Sequence, residues 1–383
     1  MSDRFQALER VRAFPAESED APFNMGRTRV DTRTVEAWRK LTHQALRSLG
    51  SIHLGYSDPR GLPQLRETIG EYLGAARAVR CEPEQIVVTG GTQAAIDLAI
   101  RVLLDRGDEV WVEDPGYPVT YQALATAGIK VRPIPVDAQG IDVGAGVRAA
   151  PNARAAFVTP SHQFPLGVAL AMPRRLELLA WAREAGAWIV EDDYASEFRY
   201  AGRPLASLQG LDDADRTIYI GTLNKALFPG LRLGYMVLPR SILRAFVNAR
   251  YLIDRQPSSL EQTVAAEFMR QGYFAAHLRR TRAVYREQRD VLAATLTARA
   301  REHLTVEVPD QGMHLIAYLR GRRSDVAVEE AARQRGVIVR AIQRMYRKAR
   351  PRAGLMLGFS GFPPEVVVPA ATRLATIIAD GHE

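Results

Sequence analysis

Apolar residues at helical spacing run through EAWRKLTHQALRSL (36–49), and after the Gly/Pro turn DPRGLP a second amphipathic helix follows in QLRETIGEYLGA. Strand-like and helix-like segments then alternate: QIVVT, a helix over about 92–104, DEVWVE, a helix after Tyr117, KVRPIPV, RAAFVT, a helix across RRLELLAWAREAG, AWIVEDD, TIYIGT and RLGYMVL. Short β-rich runs separated by helices of this length predict an α/β fold with a mainly parallel central sheet covered on both faces. Beyond about residue 240 the pattern turns to long helices, one of them over roughly 273–298. The tail predicts short strands at HLIAYL, GVIVR and GLMLGF and a final helix, which suits a smaller α+β domain. Residues 1–50 read as an N-terminal arm and helix packing on the small domain, 51–272 as the large domain and 273–383 as the small C-terminal domain. No internal repeat or low-complexity segment interrupts the pattern.

Composition narrows the class. The 383 residues exceed what one hydrophobic core usually serves, and 47% hydrophobic with 25% charged residues is ordinary for a globular enzyme. No apolar run approaches the length of a membrane span, and the charged start MSDRFQALERVRAF does not resemble a secretory signal. Cys81 is the single cysteine, so neither an internal disulfide nor a multi-thiolate metal site is available, and a cytoplasmic location is expected. The net charge of +8 invites a nucleic-acid reading, but the arginines are dispersed and the one local cluster, RMYRKARPR (344–352), suits a solvated loop.

In an open α/β sheet, ligands bind at the carboxyl ends of the strands, so the residues after each strand carry the search for chemistry. After QIVVT stands GGTQ (90–93), small residues opening a helix whose free N–H groups would hold a phosphate. DPGYP (114–118) presents Tyr117 at the sheet edge. PSHQFPLG (160–167) carries Ser161, His162 and Gln163 in an irregular loop, where a lone histidine also suits a structural hydrogen bond. EDDY (191–194) sets three carboxylates at the end of an apolar strand, which demands a cation: a metal ion, or a protonated ring nitrogen. Lys225, in GTLNKALFPGLRLG, is one of four lysines among 51 basic residues. Arginine keeps its proton near neutral pH, whereas a desolvated lysine becomes a neutral amine able to attack a carbonyl.

Together a phosphate cradle (GGTQ, Thr222, Arg232), an aromatic face (Tyr117), a carboxylate for a ring nitrogen and a Schiff-base lysine are the parts that hold pyridoxal 5′-phosphate (PLP). With these motifs in hand, HLGYSDPRGLPQLR, VTGGTQ, EDPGYP, TPSHQFPLG, IVEDDYASEFRY, GTLNKALFPGLRLGYMVLP and LEQ, nearly the whole chain resembles the fold-type-I, class I/II aminotransferases. It is most similar to the aminotransferase-like domain of MocR/GabR-type regulators. The resemblance implies that Lys225 carries the cofactor and shuttles the proton, that Asp192 pairs with the pyridine nitrogen, with Asp193 as the fallback, and that Tyr194 binds the ring hydroxyl. It further implies that Tyr117 stacks on the ring and that Gly91, Thr92, Thr222 and Arg232 hold the phosphate. Gln93, His162 and Asn224 complete the expected cofactor shell. Tyr56 would reach the phosphate of a neighbouring subunit, implying a homodimer. The substrates implied are an amino acid or amine and an oxo-acid acceptor.

The departures matter equally. The chain starts where the linker behind the regulators' winged helix-turn-helix would end, so an enzyme is expected ahead of a ligand-sensing regulator module. Asn224 stands where the lysine motif usually has serine, and Leu166 where the loop usually has threonine. Met356, in GLMLGFS, stands where aminotransferases place the arginine that forks the substrate carboxylate, leaving Arg199, Arg352 or another arginine for that task. Transamination is the leading expectation, with a lyase, racemase or oxidative decarboxylase outcome as the other enzymatic reading.

Overall fold

Residues 1–11, 21–202 and 204–381 are described by a computed structural model of the chain. An eight-stranded sheet is built from β1 (Ile86–Thr89), β2 (Glu109–Asp114), β3 (Lys130–Asp137), β4 (Gly140–Ile141), β5 (Ala155–Val158), β6 (Trp188–Asp193), β7 (Thr217–Thr222) and β8 (Gly234–Val237), in the order β1-β8-β7-β6-β5-β2-β3-β4. The run from β3 to β7 is parallel, whereas β8 is antiparallel to both of its neighbours. Every residue of β1, β5, β7 and β8 is buried, because helices cover both faces.

One face packs under Thr92–Leu103 and Arg240–Ile253, with Ile96, Val110, Ile220 and Phe246 at its centre. The other face packs under Met172–Ala185, where Trp111 and Trp181 stack at 3.7 Å between ring centroids. Gly146 opposes this stack closely, since a Cβ there would meet Trp111 at 2.7 Å.

A second, antiparallel sheet holds β9 (Leu304–Glu307), β10 (His314–Leu319), β11 (Arg340–Ala341) and β12 (Gly354–Gly358) in the order β11-β12-β10-β9. It packs with Tyr273–Ala300 and Pro364–Ala379. The N-terminal helix Thr32–Arg47 sets Trp38 against Phe228 and Phe268, and its capping Asp31 accepts a hydrogen bond from Arg280 at 2.6 Å. No helix among the described residues is long and apolar enough to cross a membrane.

The expected strand at GVIVR shrinks to Arg340–Ala341. Gly336 takes a φ of +70° after the helix Asp325–Gln334, and Ile338 donates its N–H to Pro22 O at 3.0 Å rather than to a neighbouring strand. Three apolar residues in a row, Val337 to Val339, hide this, because they are buried without joining a ladder. Strand β9 and the helices Val143–Ala149 and Asp325–Gln334 are further elements without a counterpart in the sequence-based expectations.

Candidate functional site

A cavity of about 430 Å³ lies between the two sheets, lined from the large sheet by Lys225, Asp192 and Thr222 and from the small sheet by His314, Arg340 and Met356. The stretch after β7 is folded so as to bring two cations to it. Asn224 donates its N–H to Thr222 Oγ1 at 3.1 Å, and its side-chain oxygen accepts from Leu233 N at 2.9 Å. That second bond ties the residue before the lysine to the residue after Arg232, across a tight turn in which Arg232 adopts a φ of +52°. Lys225 is half-buried against Gly26, where any side chain would collide with the amine, and desolvation pushes its amine below the ordinary lysine value.

Gly91, at φ +109°, opens the helix Thr92–Leu103 without a side-chain cap, leaving the first-turn N–H groups for another acceptor. A Cβ at Gly91 would meet Asn224 Nδ2 at 2.9 Å and the Arg232 guanidinium at 3.7 Å. Glycine therefore keeps a concave corner walled by Thr92, Gln93, Thr222, Asn224 and Arg232, all of which line the cavity.

The strand pleat divides the acidic run. Glu191 accepts from the N–H groups of Leu208 and Gln209, both at 3.0 Å. Asp193 is paired with Arg77 at 2.8 Å and accepts from the Tyr219 hydroxyl at 2.7 Å, so the fallback carboxylate is already engaged away from the cavity. Asp192 points into the cavity, and its Oδ1 is buried without a hydrogen-bond partner. Burial first, then repulsion from Asp193 and Glu113, raises its carboxyl to about 8. The three carboxylates do not converge, which removes the reading of EDDY as a metal cage; among the described residues no His, Cys, Asp and Glu cluster is arranged to hold a metal ion.

Tyr117 lines the cavity and meets Phe164 edge-on at 5.3 Å. Tyr194 lines it too, its hydroxyl buried without a partner and its pKa raised by burial and by Asp192. His162 lies behind the lining, with its ring 5.9 Å from that of Tyr194 and 4.9 Å from that of His314, and it is held neutral by burial. Tyr56 is outside the cavity, 82% exposed, with Arg255 over its ring at 4.1 Å. Arg199 donates to Gln311 at 3.1 Å, and Arg352 lies over Tyr318 at 3.4 Å; neither lines the cavity.

The residues that sequence reasoning missed come from the small sheet and the N-terminal segment. His314 Nε2 is 2.8 Å from Pro165 O, which fixes the proton on that nitrogen because a carbonyl only accepts. Burial lowers this histidine to about 4. His314 opens an antiparallel strand and so lies away from the carboxyl ends of the parallel ones. Arg340 could have been found, since it ends the apolar run GVIVR. Asn24, Met25 and Gly26 carried no pattern that distinguishes them from a loop.

The residues present fit a flat, anionic ring with a basic nitrogen. Two buried oxygens, Asp192 Oδ1 and the Tyr194 hydroxyl, lack partners inside the protein, the Gly91 corner suits a phosphate, and Lys225 offers a desolvated amine.

The family described as aminotransferase class I and II matches residues 21–355. The chain is 38% identical over 364 residues to the probable rhizopine catabolism regulatory protein MocR of Rhizobium meliloti, covering 95% of this chain and 73% of that protein. It is 32% identical over 375 residues to the uncharacterized HTH-type transcriptional regulator YhdI of Bacillus subtilis, covering 98% of this chain and 79% of that one. Among solved structures it is similar to a Pyrococcus horikoshii kynurenine aminotransferase in complex with PMP, at a TM-score of 0.89 and 27% identity over 99% of this chain and 97% of that one.

Proposed function

Since the chain belongs to the aminotransferase class I and II family, we propose that it is a pyridoxal-phosphate-dependent enzyme transferring amino groups between an amino acid or related amine and an oxo acid. The observation that carries this reading is that the desolvated amine of Lys225 and the unpartnered carboxyl oxygen of Asp192 face one cavity. When bound, the cofactor supplies an electron sink for the carbanion formed beside the substrate nitrogen.

The chain's own residues supply the rest. Arg232, the Gly91 corner and the first-turn N–H groups of Thr92–Leu103 hold a phosphate. Asp192 offers a carboxylate to a protonated ring nitrogen, a cation that would offset the burial now raising its pKa. The Tyr194 hydroxyl donates to a ring oxygen, and Tyr117 gives the ring a flat partner. With the cofactor bound, the Lys225 amine would take the proton from the substrate carbon and hold it for return on the far side of the substrate nitrogen. Met25, Phe164 and Met356 form an apolar wall that limits water around that amine.

The exposed side chains of Leu54, Tyr56 and Leu252 suit a homodimer in which Tyr56 serves the partner's phosphate corner. Sedimentation analysis of the wild type tests the dimer, and loss of phosphate affinity in Tyr56→Phe tests the reach.

A second reading is favoured by the relatives: MocR and YhdI are described as regulators, so the same site can serve as a ligand sensor that binds an amine without turnover. One experiment separates the two. Protein loaded with PLP is mixed with a panel of amines under single-turnover conditions, and the cofactor is recovered and identified. Recovery as the pyridoxamine form supports transamination; spectral change with no such product from any amine removes it.

A further inference from the structure

Among the described residues His314 is the one histidine lining the cavity, and the proposed reaction gives it no task. It opens β10, where its Cα partner in antiparallel register is Gly358 of β12, two residues along from the pair Ile316 and Met356. Alternate residues of a strand share a face, so His314 stands on the side from which Met356 lines the cavity. Glycine at 358 leaves that end of the face to the imidazole and to the N-terminal segment, since a Cβ there would meet Asn24 O at 2.7 Å. Asn24 lines the cavity as well, and two residues on Gly26 lies against the Lys225 amine. The histidine thus shares its end of the small sheet with the segment that walls the reactive nitrogen.

One ring nitrogen is already engaged. Nε2 donates to Pro165 O at 2.8 Å, so Nδ1 carries a lone pair, and it has no hydrogen-bond partner among the described residues. Its ring neighbours supply none: Phe164 is 5.9 Å away between centroids, and His162, at 4.9 Å, is not bonded to it. Burial keeps the ring neutral, with its pKa lowered to about 4, so it does not pair with a carboxylate. A group that only accepts needs a donor, and leaving it unmet once ligand has displaced water is costly.

The donor is an uncharged one. Asp192 is the single acidic residue lining the cavity among the described residues, and a ring nitrogen takes it, while Met25, Phe164, Met313 and Met356 are apolar. A second ammonium set among such groups would lack a counter-ion, whereas a hydroxyl needs only an acceptor.

We infer that His314 is a specificity-determining residue whose Nδ1 accepts a hydrogen bond from a hydroxyl group of the amine substrate, so that hydroxylated amines or amino acids are the favoured class. This inference rests on the proposed cofactor site, because the amine read by His314 is the one presented to Lys225. A site built to bond a hydroxyl rejects the analogue with a methyl group in its place, which fills a similar volume and leaves the acceptor unmet.

The test is an equilibrium titration of PLP-loaded protein with pairs of amines that differ by this exchange, read from the cofactor's absorption. The pairs are ethanolamine and propylamine, propanolamine and butylamine, serine and α-aminobutyrate, and homoserine and norvaline. The wild type should favour the hydroxylated member of at least one pair by about tenfold or more, the scale of an unmet buried acceptor. His314→Phe should reduce that preference to about twofold or less while leaving the affinity for the methyl member and for PLP within about twofold of the wild type.

The inference is overturned if the wild type favours no hydroxylated member, or if ethylenediamine binds about tenfold or more tightly than ethanolamine, which would make the donor an ammonium. It is equally overturned if His314→Phe keeps the preference, or weakens both members or PLP itself alike. Should His314→Phe fail to fold, His314→Met decides in the same way. If the wild type shows no cofactor absorption on adding PLP, the proposed cofactor site itself is refuted; a normal cofactor band with an intact preference in His314→Phe refutes His314 alone.

Discussion

Asp192 and Asp193 are neighbours on β6 that face opposite ways: Asp192 turns an unpartnered oxygen to the cavity, while Asp193 is locked to Arg77 at 2.8 Å. Substituting each should therefore give opposite phenotypes. Asp192→Asn is expected to leave a folded protein whose PLP affinity drops sharply in fluorescence or absorbance titration. Asp193→Asn strands the buried guanidinium of Arg77 and should cost about 3–5 kcal/mol in denaturant unfolding. Comparable stability losses in the two variants would contradict this division.

The pH dependence of stability follows from the same carboxyl. In the cofactor-free protein its pKa is raised from 3.8 to about 8, so between those values the folded state keeps a proton that the unfolded chain releases. The protein then loses stability as pH rises through that window, and below it the group contributes no difference. Glu113 and Glu191, both raised to about 7 chiefly by burial, add to the trend with the same sign. Asp192→Asn should flatten the profile, measured as melting temperature from pH 4 to pH 8, and gain most over the wild type near pH 8. A parallel profile would rule out Asp192 as a source.

Gly91 gives a steric test of the phosphate corner. Alanine there needs a left-handed φ of +109° and brings Cβ to 2.9 Å from Asn224 Nδ2. Backbone strain of this kind costs about 1–3 kcal/mol. Gly91→Ala should weaken PLP more than pyridoxal, which lacks the phosphate; equal weakening would move the phosphate elsewhere.

Lys225 is open to a chemical test that needs no turnover. After borohydride treatment with PLP, mass spectrometry of the digested wild type should find the cofactor's mass on the peptide containing Lys225. Lys225→Ala should retain none, and modification at Lys40, Lys130 or Lys348 instead would reassign the attachment.

The large sheet was legible because its strands are buried on both faces and bounded by Gly/Pro turns, so pattern and structure carry the same information. The shell on that side, from Thr92 to Arg232, was legible for a related reason: one turn after each parallel strand carries it. Asn224 shows the limit. Its substitution for serine looked like a departure in chemistry, yet its side-chain oxygen holds Leu233 N at 2.9 Å and shapes the arginine turn. His314 was hidden because its placement depends on how the small sheet meets the large one, which no local spacing encodes.

The segment before the N-terminal helix joins those two parts. Pro22 and Phe23 accept from Ile338 and Gly358 at 3.0 Å each, and three residues further on Gly26 lies against the Lys225 amine. The backbone that is bonded to the small sheet thus also walls the reactive nitrogen. A shift of the small sheet would therefore be felt at that amine, in an enzyme and in a sensor built on this chain alike.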